Sequence, residues 1–121
     1  VDSLPQYDEY ESYSGDDFQD ITSYEKYYYS YLCIEDVVYN EYLEKVEQED
    51  IPEIKAYIEN FEMWVREEPD VEAGYDFDIS EIEEGDYFYI ETDEFYDEFG
   101  CYDVYYFDME AEILYYFHNN I

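Results

Sequence analysis

The chain has 121 residues, thirty-seven of them Asp or Glu against four Lys or Arg, for a formal net charge of −33, and 24% of it is aromatic. Apolar residues make up 47%, so a disordered polyanion of low hydrophobicity is excluded and one compact core is within reach. No run approaches the roughly 18 apolar residues of a membrane span, the N-terminus shows no signal-peptide pattern, and two cysteines, Cys33 and Cys101, are too few for a disulfide framework.

Residues 1–17 mix Ser, Pro, Gly and acids without periodicity, which reads as a flexible acidic N-terminal arm ahead of a single acidic α+β domain over 18–121. Phe18, Ile21, Tyr24, Tyr28, Tyr31 and Leu32 fall at helical spacing, and a second helical stretch follows Glu35 with Val38, Tyr42, Leu43 and Val46 inward. A third helix is predicted from the Asp50 and Glu53 capping pair around Pro52, with Ile51, Ile54, Ile58, Phe61 and Val65 as its apolar stripe, ending before Pro69.

Beyond Gly74 the period changes to two. Tyr75, Phe77 and Ile79 alternate with Asp76, Asp78 and Ser80 as a half-buried strand, Gly85-Asp86 is a turn, and 86–92 is a second strand. An acidic loop over 93–100 leads to a third strand over about 101–107, and the last segment, 112–118, fits a strand better than a helix. The expected fold is therefore about three N-terminal helices packed on a small antiparallel sheet of three to four strands.

The charge divides along the same line. Lys26, Lys45, Lys55 and Arg66 all lie in the part read as helical, and the nineteen acids after Arg66 have no cation among them. A body of this mass exposes on the order of 7,000 Å², so acids crowded onto half of it approach the charge density of duplex DNA, roughly one per 110 Å². Alternate strand residues project to one side every ~6.6 Å, close to the phosphate repeat of a single strand. That spacing picks out Asp76 and Asp78, with Glu81, Glu83, Glu84 and Asp86 extending the series. Glu91, Asp93, Glu94, Asp97 and Glu98 form a second row, and Asp103 is a further candidate. Tyr75, Tyr87, Tyr89 and Tyr96 lie among them as aromatic partners for Arg.

Enzyme chemistry has little footing. His118 is the only histidine, and no phosphate loop, nucleophile elbow or HExxH helix occurs. Asp76-x-Asp78-x-Ser80 opens like an EF-hand loop, but Glu81 stands at the sixth position and Tyr87 at the twelfth, so neither a metal nor another cofactor is expected.

With its acid spacing and aromatic content, the chain resembles the DNA-mimic inhibitors of phages and mobile elements, the class that includes anti-restriction, anti-CRISPR and uracil-DNA glycosylase inhibitor proteins. The resemblance implies a non-catalytic protein, cytoplasmic in an infected or element-bearing bacterial host, that occupies the basic DNA-binding cleft of a defence enzyme such as a CRISPR effector or restriction enzyme. It implies no direct nucleic-acid binding and no membrane partner. Two other readings fit the same charge: an acidic chaperone that sequesters a basic protein, and a secreted binder with sulfated tyrosines such as Tyr7 and Tyr10.

Overall fold

The computed structural model describes residues 8–14, 21–29, 43–92 and 101–120. Its frame is a six-stranded antiparallel sheet in the order β1-β2-β6-β5-β4-β3. The strands are β1 (Glu9–Ser14), β2 (Ile21–Tyr28), β3 (Glu44–Lys45), β4 (Tyr87–Thr92), β5 (Cys101–Asp108) and β6 (Ile113–Asn120). One long helix, α1 (Ile51–Val65), packs on one side, followed by a single helical turn over Pro69–Glu72.

This corrects the expected three helices on three or four strands. Ile21–Tyr28, which carries helical spacing, is a central strand instead. Burial in β2 alternates, with Thr22, Tyr24 and Lys26 buried and Ser23, Glu25 and Tyr27 half-buried, but both sides mix polar and aromatic residues, so no apolar–polar alternation shows and its large residues fall by chance at three- and four-residue intervals. Tyr24 enters the core with α1, whereas Tyr27 packs in a second cluster with Tyr29, Tyr105, Phe107 and Leu114. The aromatic and β-branched content of the segment favours a strand. The second expected helix falls largely on residues outside those described, and its end, Glu44–Lys45, pairs with β4. Within the stretch read as a loose arm, residues 9–14 form β1, paired with β2 from Glu9↔Tyr28 to Ser14↔Ser23.

The segment around Phe77 joins no sheet. Phe77 is buried while Asp76 and Asp78 are exposed, so the expected alternation holds, but a short 3-10 turn over Ile79–Glu81 replaces the end of the expected strand. The strands expected over 86–92, 101–107 and 112–118 are present as β4, β5 and β6.

Helix α1 follows its stripe closely: Ile54, Ile58, Phe61 and Val65 are buried, each contributing about 1.5–3 kcal/mol. Pro52 sits in the first turn, but the Asp50 side chain does not cap α1. It reaches back instead, and Oδ2 accepts the Glu47 backbone N–H at 3.0 Å. The main core lies between α1 and the sheet, where Phe61, Phe77 and Phe117 meet edge to face at 5.2–5.3 Å between ring centroids. Two glycines have specific reasons. Gly85 has φ of 95°, and its turn lets Gly85 N–H reach Val46 O at 3.1 Å, which sets β3 beside β4. A Cβ at Gly74 would stand 2.3 Å from the Tyr13 ring, so only glycine lets β1 lie against the end of the helical segment.

Candidate partner-binding surface

The acids after Gly74 divide into two groups. The first is held internally. Lys26, whose side chain is 8% exposed, extends from β2 to Asp76 Oδ2 at 2.7 Å and to Glu11 Oε2 on β1 at 3.0 Å. The Tyr24 hydroxyl donates to Asp76 Oδ1 at 2.8 Å and the Tyr28 hydroxyl to Glu11 Oε2 at 2.9 Å. The ammonium also lies 5.8 Å from the centroid of the Tyr28 ring. Burial works against charge here, yet the Lys26 ammonium and the Tyr24 hydroxyl hold the Asp76 carboxyl below its ordinary value. Lys26 likewise is raised by its two carboxylates despite burial.

Asp86 and Asp103 belong to the same group. Asp86 is 2% exposed, accepts the Tyr106 hydroxyl at 2.5 Å and the Met109 N–H at 3.1 Å, and ties β4 to the end of β5. Burial pushes its carboxyl up, against those two hydrogen bonds. Asp103 on β5 pairs with His118 Nδ1 at 2.5 Å and accepts the Tyr116 hydroxyl at 2.6 Å, and these partners lower its carboxyl against the effect of burial. Tyr75 is a core residue, packed on Tyr24 at 4.8 Å and donating to Glu62 at 2.8 Å.

The second group is exposed apart from the buried Asp108, and among the described residues no Lys or Arg pairs with it. Asp78 caps the 3-10 turn, its Oδ1 accepting the Ser80 N–H at 2.9 Å and hydroxyl at 2.7 Å. Ile82 is buried below, which directs Glu81, Glu83 and Glu84 outward. The β5–β6 turn closes against them. Asp108 Oδ1 accepts the N–H groups of Glu110 and Ala111 at 3.0 and 3.1 Å, and Glu112 takes φ of 60° to complete the turn. Ser80, Glu81, Glu83, Asp108, Glu110 and Ala111 line an open depression of about 450 Å³. Burial, then the carboxylates of Asp108, Asp78, Glu110 and Glu83, push the Glu81 carboxyl above its ordinary value. Four like charges acting on one carboxyl is the direct signature of crowding.

Glu91 is exposed near the end of β4, and Tyr87 and Tyr89 are half-buried on the same strand. Asp93, Glu94, Tyr96, Asp97 and Glu98 lie outside the described residues, as does Cys33. The structure therefore brings Asp78, Glu81, Glu83 and Glu84 into one neighbourhood, ties the exposed Asp76 to Lys26, and draws Asp86 and Asp103 into the fold. It adds Asp108 and Glu110, which sequence spacing missed; the run Asp108-Met109-Glu110-Ala111-Glu112 between two aromatic strands is the signal for that turn. Asp76 and Asp78 point to different partners, so the EF-hand-like opening does not converge. Among the described residues no group of three His, Cys, Asp or Glu is arranged to hold a metal ion, and no described helix is long and apolar enough to cross a membrane. Comparison with protein-family models, curated proteins and solved structures finds no match to this chain.

Proposed function

We propose that the chain is a non-catalytic nucleic-acid mimic that occupies the basic cleft of a DNA-acting defence enzyme, with CRISPR effectors and restriction enzymes as the leading targets. The observation that carries this reading is the gathering of Asp78, Glu83, Asp108 and Glu110 about Glu81 at one depression, where burial and then these four carboxylates raise the proton affinity of Glu81. Such repulsion destabilises the free protein and is relieved by a cationic partner, so part of the binding energy is stored in the unbound state. Over the whole molecule, 7411 Å² of accessible surface spread over 33 net charges is about 225 Å² for each, within about twofold of duplex DNA. The inhibitor acts by steric and electrostatic exclusion, with charge steering speeding association.

The test is a gel-shift titration of purified CRISPR effectors and restriction enzymes on labelled duplex DNA. The expected result is release of DNA from at least one target at stoichiometric inhibitor. A target that binds the chain and still takes up DNA with unchanged affinity overturns the reading.

Exposed acids also occur on the outward side of α1, at Glu53 and Glu59, and just past its end, at Glu67. Charge on more than one face favours a second reading, sequestration of a basic protein. That function predicts many partners that are stripped at moderate salt, whereas a shaped cleft contact survives screening.

A further inference from the structure

We propose that the outer edge of β1 takes up an extended basic segment of the partner as a further strand of the sheet. This docking rests on the reading that the partner is cationic, and it adds where and in what conformation that partner binds. The sheet has two margins, β3 and β1. β3 is two residues long, too brief to hold another strand, whereas β1 runs for six, about the usual strand length.

Backbone N–H and C=O groups on the outer side of an edge strand are a template for a further strand. Among the described residues β1 pairs only with β2. Glu9, Tyr10, Glu11, Ser12 and Ser14 are exposed and Tyr13 is half-buried, so the strand is accessible along its length. Its side chains fasten it to β2 from both sides. Glu11 takes Lys26 Nζ at 3.0 Å and the Tyr28 hydroxyl at 2.9 Å. On the opposite side Ser12 Oγ donates to Glu25 Oε1 at 3.2 Å, and the Tyr10 ring stacks on Tyr27 at 5.5 Å. The strand is therefore extended before a partner arrives, which removes an ordering cost from binding.

Charge selects the occupant. Alternate residues of a strand share a side of the sheet, so Glu9 and Glu11 lie on the side where Tyr13 packs on the main core. Asp76 joins them there through Lys26, its side chain 58% exposed and that of Glu11 44%. Lys26 offsets one of these three carboxylates, and among the described residues no other Lys or Arg pairs with them. A strand with Lys or Arg at alternate positions sets its cations directly across from Glu9 and Glu11, where opposite charges stabilise a strand pair. A strand with acids at those positions is repelled, which disfavours a second copy of β1 as the occupant. The backbone ladder attracts any extended chain, and the alternate cations supply the choice among them.

The test titrates the full chain, at about 0.15 M salt, with a fluorescent peptide of alternating Lys and Thr and with the same peptide N-methylated at every backbone amide. Methylation keeps the charges and removes the N–H donors. The native protein is expected to bind the unmethylated peptide more tightly by about fivefold or more. Glu9→Lys, at an exposed position, should weaken that peptide about fivefold. Glu81→Gln/Glu83→Gln, on the depression, should leave the ratio of the two affinities unchanged. Amide exchange of the native chain, followed residue by residue, locates the peptide without any variant. Alternate amides over 9–14 should exchange freely in the unbound protein and slow about tenfold or more with the peptide bound. Binding of neither peptide overturns the cationic-partner reading and this docking with it. Equal binding of the two peptides, an affinity that Glu9→Lys leaves unchanged, or slowing confined to the depression around Glu81 overturns the docking alone. So does protection of every β1 amide in the unbound protein, which means that the edge is already paired, by the chain itself or, where protection grows with protein concentration, by a second copy.

Discussion

Asp76 and Glu81 stand five residues apart, and the fold treats their charges in opposite ways. Asp76 meets an ammonium and a hydroxyl and is held ionised; Glu81 meets partial burial and four other carboxylates and is pushed toward its neutral form. Residue type does not distinguish them. Lys26 does, because a buried cation on a central strand can serve only the acids within its reach, here Glu11 and Asp76. The difference separates anions that stabilise the fold from anions carried at its expense. The second kind is the better guide to a binding surface, since only it has binding energy to release.

The strongest way to break this comparison is to remove the ammonium. Lys26→Met leaves Asp76 and Glu11 unopposed beside a buried tyrosine, and the expected loss is on the order of 3 kcal/mol, given that both carboxylates are partly exposed. In a domain of this size it should read as a fall of about 10 °C or more in melting midpoint, measured by circular dichroism. A fall of under about 3 °C would mean that the internal group is not the stabilising one.

Acid should next separate the raised carboxyls from the lowered ones, a division that cuts across the two groups, since Asp86 is held internally yet raised and Asp78 is exposed yet lowered. Glu81 and Asp86 have folded-state pKa values raised above the unfolded ones, so they cost stability at neutral pH that returns as pH falls through the folded values. Asp76, Glu11, Asp103 and Asp78 have lowered values, so they contribute stability above the unfolded carboxylate range that is lost as pH falls through their folded values. Melting temperature should therefore rise between pH 7 and about 5 and fall again below about 3.5. A steady decline from pH 7 downward would contradict the division.

The smallest effect has the opposite sign to the first. Glu81→Gln removes a charge that its neighbours repel and should stabilise the protein by roughly 0.5 kcal/mol, the scale of an exposed charge interaction. Asp76→Asn should destabilise it instead. Urea denaturation of the two variants side by side reads the contrast directly.

Much of the molecule was legible in its residues, and the failures have physical causes. Helix α1 was readable because one face is apolar and the other charged, with a proline at its start and no competing period. β4, β5 and β6 were readable because dense aromatic runs are broken by Gly85 and by the acidic turn after Asp108. β2 was not, because its burial alternates but its polarity does not: Thr22 and Lys26 share the buried side with Tyr24, and Tyr27 lies on the other. β1 was not, because six exposed or half-exposed residues in a Ser- and Glu-rich stretch carry no apolar pattern, and only pairing with β2 makes them a strand. At the candidate surface, spacing found Asp78, Glu81, Glu83 and Glu84 but could not tell which acids face inward. That depends on Lys26, Tyr106 and His118, which contact Asp76, Asp86 and Asp103 from 15 to 50 positions away.

The margins of the sheet also matter for how these molecules meet one another. A fold this rich in aromatic strands is prone to grow by adding further copies side by side, which ends in fibres. At one margin β3 is two residues long, too brief to template a newcomer. At the other, β1 carries Glu9 and Glu11, and a matching strand from another copy would bring its own acids against them. Carboxylates at this margin thereby keep identical neighbours apart, whatever the acids around the depression meet.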